Sequence, residues 1–435
     1  MDPILIGILL IGIMLVMIAA GVSVGVSMVL VGFGGLWGLV SLPMALGTLM
    51  TLPYSISAQY AFVVVPMFVL MGALAAAAGI TSELYEASHR MFSRFRGSLY
   101  YATILAAGAF GAISGSTVVS AAVFTKIALP EMIRYGYNRS ISAGCIAGAG
   151  TFAALIPPSI AMAIYGILTG ESIGRLLLAG MIPGIVTVVV YMVGLRIGLA
   201  IRPHWAPPTA QRYSAKQVLE SFRGLWAVIV LAGIVLGGIY SGTIPPSAAG
   251  TLGACGALLI CVLRRRLSVA GFWDALSKTA SITAALFLII IGGMVFSRLL
   301  LATGFVTSLT DIASASLTPL YLLVVIVVMY LVLGCFVDPI SMMVMTVPFL
   351  YPIVKALGLD PIWFGVIVVK LIEISAITPP VGLNLYAVVS ASEGRVKSGE
   401  LFRGILPFVF LELVVLAILL AFPRLSLWLP NTMIN

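Results

Sequence analysis

The sequence predicts an all-α polytopic membrane protein built from two mirrored copies of one unit. Three observations carry that prediction: too little charge to cover a water-facing surface, apolar runs of more than twenty residues, and two Pro-Pro pairs that interrupt such runs at matching places. Of 435 residues, 61% are hydrophobic and 9% charged, against about 25% charged in an ordinary soluble domain. A soluble enzyme, a secreted disulfide scaffold and a disordered chain are excluded. A transmembrane β-barrel is excluded too, because its strands alternate in polarity and these runs do not. At about 20 residues per crossing, the length less its loops allows roughly a dozen crossings.

The net charge of +9, from 23 Lys and Arg against 14 Asp and Glu, is explained by basic loops on the cytoplasmic face. No nucleic-acid partner is expected. Cys145, Cys255, Cys261 and Cys335 lie in apolar runs without C-x-x-C spacing and read as small packing residues. His89 and His204 lack partners at metal-ligand spacing, so no metal catalysis is expected.

Three N-terminal runs cover 4–31, 35–53 and 58–80. The first has no basic leading segment and is long for a signal sequence, so it reads as a retained helix. Past Arg90, Arg94 and Arg96, an apolar arm (97–112) leads to the polar kink Ser114-Gly115-Ser116-Thr117, and a second arm (118–129) returns to Pro130. Each arm is short for a crossing and fits a re-entrant helical hairpin. A crossing helix follows, broken at 150–159 around Pro157-Pro158. Proline lacks an N–H and disfavours helix before it, so carbonyls are freed there. At membrane depth such carbonyls survive only if protein, ion or water satisfies them.

A span at 176–200 ends in the polar connection 202–223, with Arg202, Arg212, Lys216 and Arg223, which divides the halves. Helices at 225–240 and 248–263 then lead to Arg264-Arg265-Arg266. An interfacial amphipathic helix is expected at 269–278, a span at 282–301 and a loop at 303–318 whose one charge is Asp311. The second hairpin has arms at 317–332 and 340–351 and its tip near Cys335 to Pro339; its broken helix is interrupted at 373–382. Arg395, Lys397 and Arg403 precede the last run, 404–428.

Sliding the chain by 222 residues lays Pro157-Pro158 on Pro379-Pro380, Pro130 on Pro352, Gly136 on Gly358 and Asn138 on Asp360. Matches at structure-breaking residues, in register, mark a duplication. Basic connections flank the first hairpin on both sides, while the second is entered from the uncharged side. By the positive-inside rule the copies are inverted, with both termini outside.

Two opposed tips facing two broken helices make a binding site at mid-membrane. Half-helix N-termini suit an anion and freed carbonyls a cation. Ser114, Ser116, Thr117 and Thr151 in the first copy, and Asp338 and Thr378 in the second, fit sodium coordination; close helix packing is the alternative. Asp338 fits a cation ligand or a helix cap equally. Lys370 and Glu373, three apart on one helix, either pair or take part in coupling or solute binding. Lys126 and Arg298 either snorkel or bind lipid, Asn384 reaches solute or packs helices, and Glu412 has no assigned role. No P-loop and no Ser/His, Asp/Asp or His/Glu constellation at depth is present, so ATP hydrolysis within the chain and intramembrane catalysis are not expected.

The stretches GAISGSTVVSAAVFTKIALPEMIRYGYN…GTFAALIPPS and GCFVDPISMMVMTVPFLYPIVKALGLD…ITPPVGLNLY resemble the large membrane subunit of the tripartite ATP-independent periplasmic (TRAP) transporters, and the likeness covers nearly the whole chain. The resemblance implies an elevator-type fold like that of the ion transporter superfamily, in the bacterial inner membrane. It implies sodium-coupled uptake of an organic acid, with sodium as coupling ion and no cofactor. The partners it implies are a small four-helix membrane subunit and a periplasmic substrate-binding protein, expected as separate chains. Carried over, the first sodium site is Ser114, Gly115, Ser116, Gly150 and Thr151, and the second is Gly334, Val337, Asp338, Thr378, Val381 and Gly382. The solute would meet Ser116, Thr117, Pro158, Ser159, Pro380 and Asn384. The expected division is scaffold 1–96, transport repeat 97–201 (hairpin 97–135, broken helix 140–168), connection and second scaffold 202–316, transport repeat 317–403 (hairpin 317–357, broken helix 361–391) and a last helix 404–435. A stand-alone sodium/dicarboxylate symporter without binding protein is the alternative.

Overall fold

A computed structural model describes residues 2–208, 213–316 and 318–433; Arg212 and Leu317, both used above, lie outside the described residues. All regular structure among the described residues is helical. The first half runs α1 (Pro3–Ala19), α2 (Val24–Leu39), α3 (Leu42–Ser57), α4 (Val64–Ala77), α5 (Ile80–Phe92), α6 (Ser98–Ser114), α7 (Thr117–Arg134), α8 (Arg139–Gly150), α9 (Ile160–Thr169) and α10 (Ile173–Ile201). A short α11 (Ala215–Phe222) lies in the connection. The second half runs α12 (Trp226–Tyr240), α13 (Pro246–Leu263), α14 (Val269–Ala302), α15 (Phe305–Ser316), α16 (Pro319–Leu333), α17 (Pro339–Ala356), α18 (Pro361–Ile377), α19 (Leu383–Ala391), α20 (Ser398–Ala421) and α21 (Arg424–Asn431). Among the described residues six helices are long and apolar enough to cross a membrane.

The duplication reaches well beyond the hairpins. Helices α1, α2, α5 and α10 find counterparts in α12, α13, α15 and α20, and α3 with α4 together match the single α14. Gly79 and Gly304, each in the left-handed region at φ 76°, open α5 and α15 alike. Contacts are exchanged between the copies. Helix α2 lies along α14, with Gly25 against Leu288, Gly32 against Val295 and Gly35 against Leu299. Its counterpart α13 lies along α4: Cys261 Sγ is 3.1 Å from the Leu74 carbonyl oxygen and Arg264 Nη1 is 3.5 Å from that of Ala78. Phe62 and Phe287 occupy equivalent positions, and their rings meet with centroids 5.3 Å apart. A residue touches its own counterpart only beside the axis that relates the copies.

Stop signals are copied as well. Helix α7 ends with Tyr137 N–H on the Met132 carbonyl and Gly136 N–H on that of Ile133; α17 ends with Leu359 N–H on Val354 and Gly358 N–H on Lys355. Both are Schellman ends, and each glycine has the positive φ that such an end requires, 77° and 70°. The helices after them open on Asn138, whose side chain accepts from Ile141 N–H, and Asp360, which accepts from Ile362 and Trp363. Helices α8 and α18 are buried on nearly every side.

Five expectations are corrected. The run 4–31 is two helices, because Gly21 takes φ 91° between them, and 35–53 is split at Ser41, which caps α3 by accepting from Met44 N–H. The first hairpin's second arm does not stop at Pro130; it continues to Arg134, and Gly136 supplies the stop. Residues 269–278 are not a separate interfacial helix, since no Gly or Pro follows Gly271 before Gly292 and α14 runs unbroken for 34 residues. That is about 50 Å at 1.5 Å per residue. Finally, 303–318 is no loop: it contains α15, with Phe305, Val306 and Ala313 turned inward.

Two measurements check this arrangement. Arg134 and Lys355 are exposed beside the equivalent turns. With the exposed Cys255 replaced by serine, a Lys355→Cys chain should react with an impermeant thiol reagent added outside, and Arg134→Cys only after permeabilisation; labelling from one side would break the inversion. A Cβ at Gly404 would collide with the Ser140 carbonyl where α20 crosses α8. Gly404→Val should therefore cost about 3 kcal/mol, seen as a lower thermal midpoint in detergent.

Candidate solute and ion site

A cavity of about 300 Å³ lies between the two hairpin tips and the two helix breaks, within the range of small-molecule sites. Gly115 to Val119 form one wall and Asp338 to Ile340 the opposite one. Ala154, Ile160 and Ala161 come from the first break, Ile372, Glu373, Ala376 and Leu383 from the second, and Ile282, Ala285 and Leu286 of α14 close the side. Thr117, Ile160, Pro339 and Leu383 are the first residues of α7, α9, α17 and α19, so four helix N-termini converge on this space. Each adds the partial positive charge of a helix start, which at α17 already faces the Asp338 carboxylate that caps it; the other three suit an anion. The charged side chains of the wall are both acidic, Asp338 and Glu373.

The tips are held by the breaks. The Gly115 carbonyl accepts from Ile160 N–H at 3.5 Å, and at φ 60° Gly115 is packed so tightly on the Pro158 carbonyl that a Cβ would collide with it. At the other tip the Gly334 carbonyl accepts from Ser375 Oγ at 3.3 Å. Both Pro157-Pro158 and Pro379-Pro380 peptide bonds are cis. Ser116 and Asp338 are equivalent N-caps: Ser116 Oγ accepts from Val119 N–H at 3.4 Å and Asp338 Oδ1 from Ser341 N–H at 3.0 Å. The structure thus gives Asp338 the capping role while leaving it on the cavity wall.

Of the residues singled out from sequence, Gly115, Ser116, Thr117 and Asp338 line the cavity. Ser114 is buried behind the first tip, its Oγ without a hydrogen-bond partner. Gly150 packs on Ala121, and Thr151 Oγ1 lies 2.7 Å from the Gly148 carbonyl oxygen. Gly334 and Val337 belong to the second tip, Val337 buried. Thr378 Oγ1 donates to the Ile374 carbonyl at 2.6 Å, and Gly382 N–H to that of Thr378 at 3.2 Å; Val381 lies between them, half-buried. Pro158, Ser159, Pro380 and Asn384 lie outside the cavity wall. Ser159 caps α9, accepting from Met162 N–H at 3.1 Å, and Asn384 Nδ2 donates to the Ala147 carbonyl at 3.3 Å. The side wall from α14 carried no sequence signal beyond its hydropathy.

A family model for the tripartite ATP-independent periplasmic transporter, DctM component, matches residues 11–425. The chain belongs to this family. It is 34% identical over 381 residues to the C4-dicarboxylate TRAP transporter large permease protein DctM of Pseudomonas aeruginosa, covering 87% of this chain and 88% of that one. It is 32% identical over 376 residues to the sialic acid TRAP transporter large permease protein SiaM of Vibrio cholerae, covering 86% and 87%. The fold is similar to the crystal structure of the Alcanivorax borkumensis YdaH transporter, with a TM-score of 0.63 at 13% identity and 98% of each chain covered. This TRAP large permease is a multi-pass membrane protein for ATP-independent transport.

Behind the cavity the permease buries a charged cluster. Lys370 Nζ lies 3.0 Å from Glu373 Oε2 and 3.3 Å from Thr187 Oγ1, and forms an ion pair with Glu412. Glu412 Oε1 accepts from Tyr191 OH at 2.6 Å, and Thr151 Oγ1 stands 3.1 Å away. Lys370, Glu373 and Glu412 are at most 1% exposed. Glu412 therefore joins the first break, through Thr151, to α18 of the second. As one acid in the apolar run 404–428 it was a recognisable signal, but its partners are far away in sequence. Removing one member of a buried pair costs about 3–5 kcal/mol, so Lys370→Met should be destabilised by that much in thermal unfolding. Adding Glu412→Gln should restore part of the loss; strict additivity would mean that the two side chains act independently.

Proposed function

We propose that this permease takes up an organic acid together with sodium, receiving the acid from a periplasmic binding protein and working beside a small membrane subunit in the bacterial inner membrane. The observation that carries the reading is the convergence of four helix N-termini on one cavity, which offers a carboxylate partial positive charge without a basic side chain. The names of the relatives, a C4-dicarboxylate and a sialic acid permease, support the same substrate class. Sodium would neutralise the acidic wall. Support for it comes from Ser114 Oγ and Ser341 Oγ, buried beside the tips without partners, and from Asp338 between tip and cavity. The two sodium sites keep the residues expected for them: Ser114, Gly115, Ser116, Gly150 and Thr151 at one, and Gly334, Val337, Asp338, Thr378, Val381 and Gly382 at the other.

Movement would be of the elevator kind. Each hairpin is tied to the broken helix of its own copy, so 97–201 and 317–403 travel with the cavity, while the exchanged helices α2, α4, α13 and α14 form the frame. Both termini then lie in the periplasm.

Reconstituted with its small subunit and binding protein, the permease should take up the bound acid only under an inward sodium gradient. Asp338→Ala should raise the sodium concentration for half-maximal uptake about tenfold, the equivalent of about 1.4 kcal/mol of lost coordination. Uptake without sodium, or a sodium dependence unchanged in Asp338→Ala, would reject the coupling. Undiminished uptake without binding protein would favour the stand-alone symporter.

A further inference from the structure

We infer that the hollow between the end of α5 and α11 holds an anionic phospholipid, with its phosphate on Arg94 and its acyl chains on the apolar face of α11. The hollow has a volume of about 480 Å³. Arg90, Arg94 and Phe95, from the last turn of α5 and the elbow after it, form one wall, and Leu219 and Phe222 of α11 lie in the other. On α11 the apolar residues fall on one side, with Lys216 and Glu220 on the opposite side. Yet no side chain of this helix is buried. Leu219 is 73% exposed, Phe222 42% and Phe95 46%. A helix of 8 residues without buried side chains is not stable in water on its own, so its apolar face needs a cover. Its place says which one. Helix α12 starts at Trp226 directly after this segment, and Trp226 is itself 43% exposed, as aromatic residues are at the level of lipid headgroups. An amphipathic helix at that level buries its apolar face among acyl chains.

Charge then selects the lipid. Arg90 is already engaged: it pairs with Glu86, lies over the Tyr213 ring, and its Nη1 is 3.4 Å from the Gln217 carbonyl oxygen. Arg94 is exposed and has no hydrogen-bond or ion-pair partner among the described residues. Of the acids near by, Glu86 is taken by Arg90 and Glu220 lies on the far side of α11. A free guanidinium beside an apolar hollow at headgroup level matches a phosphate with acyl chains attached, and its charge favours a lipid with net negative charge. The elbow is otherwise held by Arg96, which donates to the carbonyls of Pro203 and Ala206. Phe95 also packs on Tyr101 of α6, with ring centroids 6.3 Å apart. A lipid in the hollow therefore joins the connection between the halves to the root of the first hairpin.

Native mass spectrometry of the purified, delipidated permease tests this by counting retained lipid. Offered phosphatidylglycerol and phosphatidylcholine of equal chain length, the wild type should retain the phosphatidylglycerol. Arg94→Gln should lower that retention about fivefold, the worth of one basic side chain at a membrane surface, and Arg94→Lys should keep most of it. Leu219→Ser combined with Phe222→Ser should lower it too, whereas Arg395→Gln, exposed beyond α19, should not. Thermal midpoints of all variants in lipid-free detergent should match the wild type, which separates a lost lipid from a lost fold. Equal retention of both lipids, or retention untouched by Arg94→Gln, overturns the inference. Displacement of the lipid by inorganic phosphate overturns it as well, because the site would then belong to a soluble anion.

Discussion

Backbone freed by a break inside a membrane has to find partners within the protein, and the architecture of this permease follows from that requirement. Four N–H groups at each helix start and four carbonyls at each end are left over, and lipid offers them nothing. The permease gathers its interruptions in one place. Hairpin tips and helix breaks face each other, the Gly115 carbonyl takes the Ile160 amide, and the Gly334 carbonyl takes Ser375. The residual polarity opens into a shared cavity, where solute, ions and water can complete it. A site results from what would otherwise be four separate defects.

Duplication makes the arrangement possible. One broken helix and one hairpin would leave their loose ends unmatched; the second copy brings its own tip and break to the same cavity. The exchanged packing of α2 on α14 and α13 on α4 depends on glycines at Gly25, Gly32, Gly250 and Gly253, which let the helices approach closely. Copies locked by such contacts cannot slide along one another without losing them. Relative motion is therefore expected where packing is not exchanged, between this frame and the hairpins with their broken helices.

How much of this was legible in the sequence differed by element. Breaks were legible because Pro and Gly act locally: Pro157-Pro158, Pro379-Pro380, Gly136 and Gly358 mark their positions whatever packs around them. The arm α15 was not, because Asp311 and the serines around it lower its hydropathy to that of a loop, and its apolar face was visible only with the repeat extended to α5. The continuity of α14 was missed for a related reason, since Asp274 and Lys278 suggest an interface although no residue there stops a helix. Tip residues of the site were found because a kink needs small polar residues. Of the cluster behind it the Lys370–Glu373 pair was legible from its spacing on one helix, whereas Glu412 and Thr151 escaped, because they join it only through tertiary contacts between helices distant in the chain.

Once the copies are superimposed, that cluster acquires a plain logic. The 222-residue shift lays Glu373 on Thr151 and Lys370 on Gly148, and the start of α10 on that of α20 lays Thr187 on Glu412. Thr187 meets Lys370, and Glu412 meets Thr151, so the same two inter-copy contacts recur. The fold is symmetric there and the chemistry is not. Hydroxyls occupy the first copy's positions and carboxylates the second's, with Gly148 leaving the space that the Tyr191 ring fills. A symmetric frame with identical contents would present the same surface to a solute from either tip. Confining the charge to one copy gives the cavity a polar side at Glu373 and a hydroxyl side at Ser116 and Thr117, and with it a direction in which an asymmetric anion can lie.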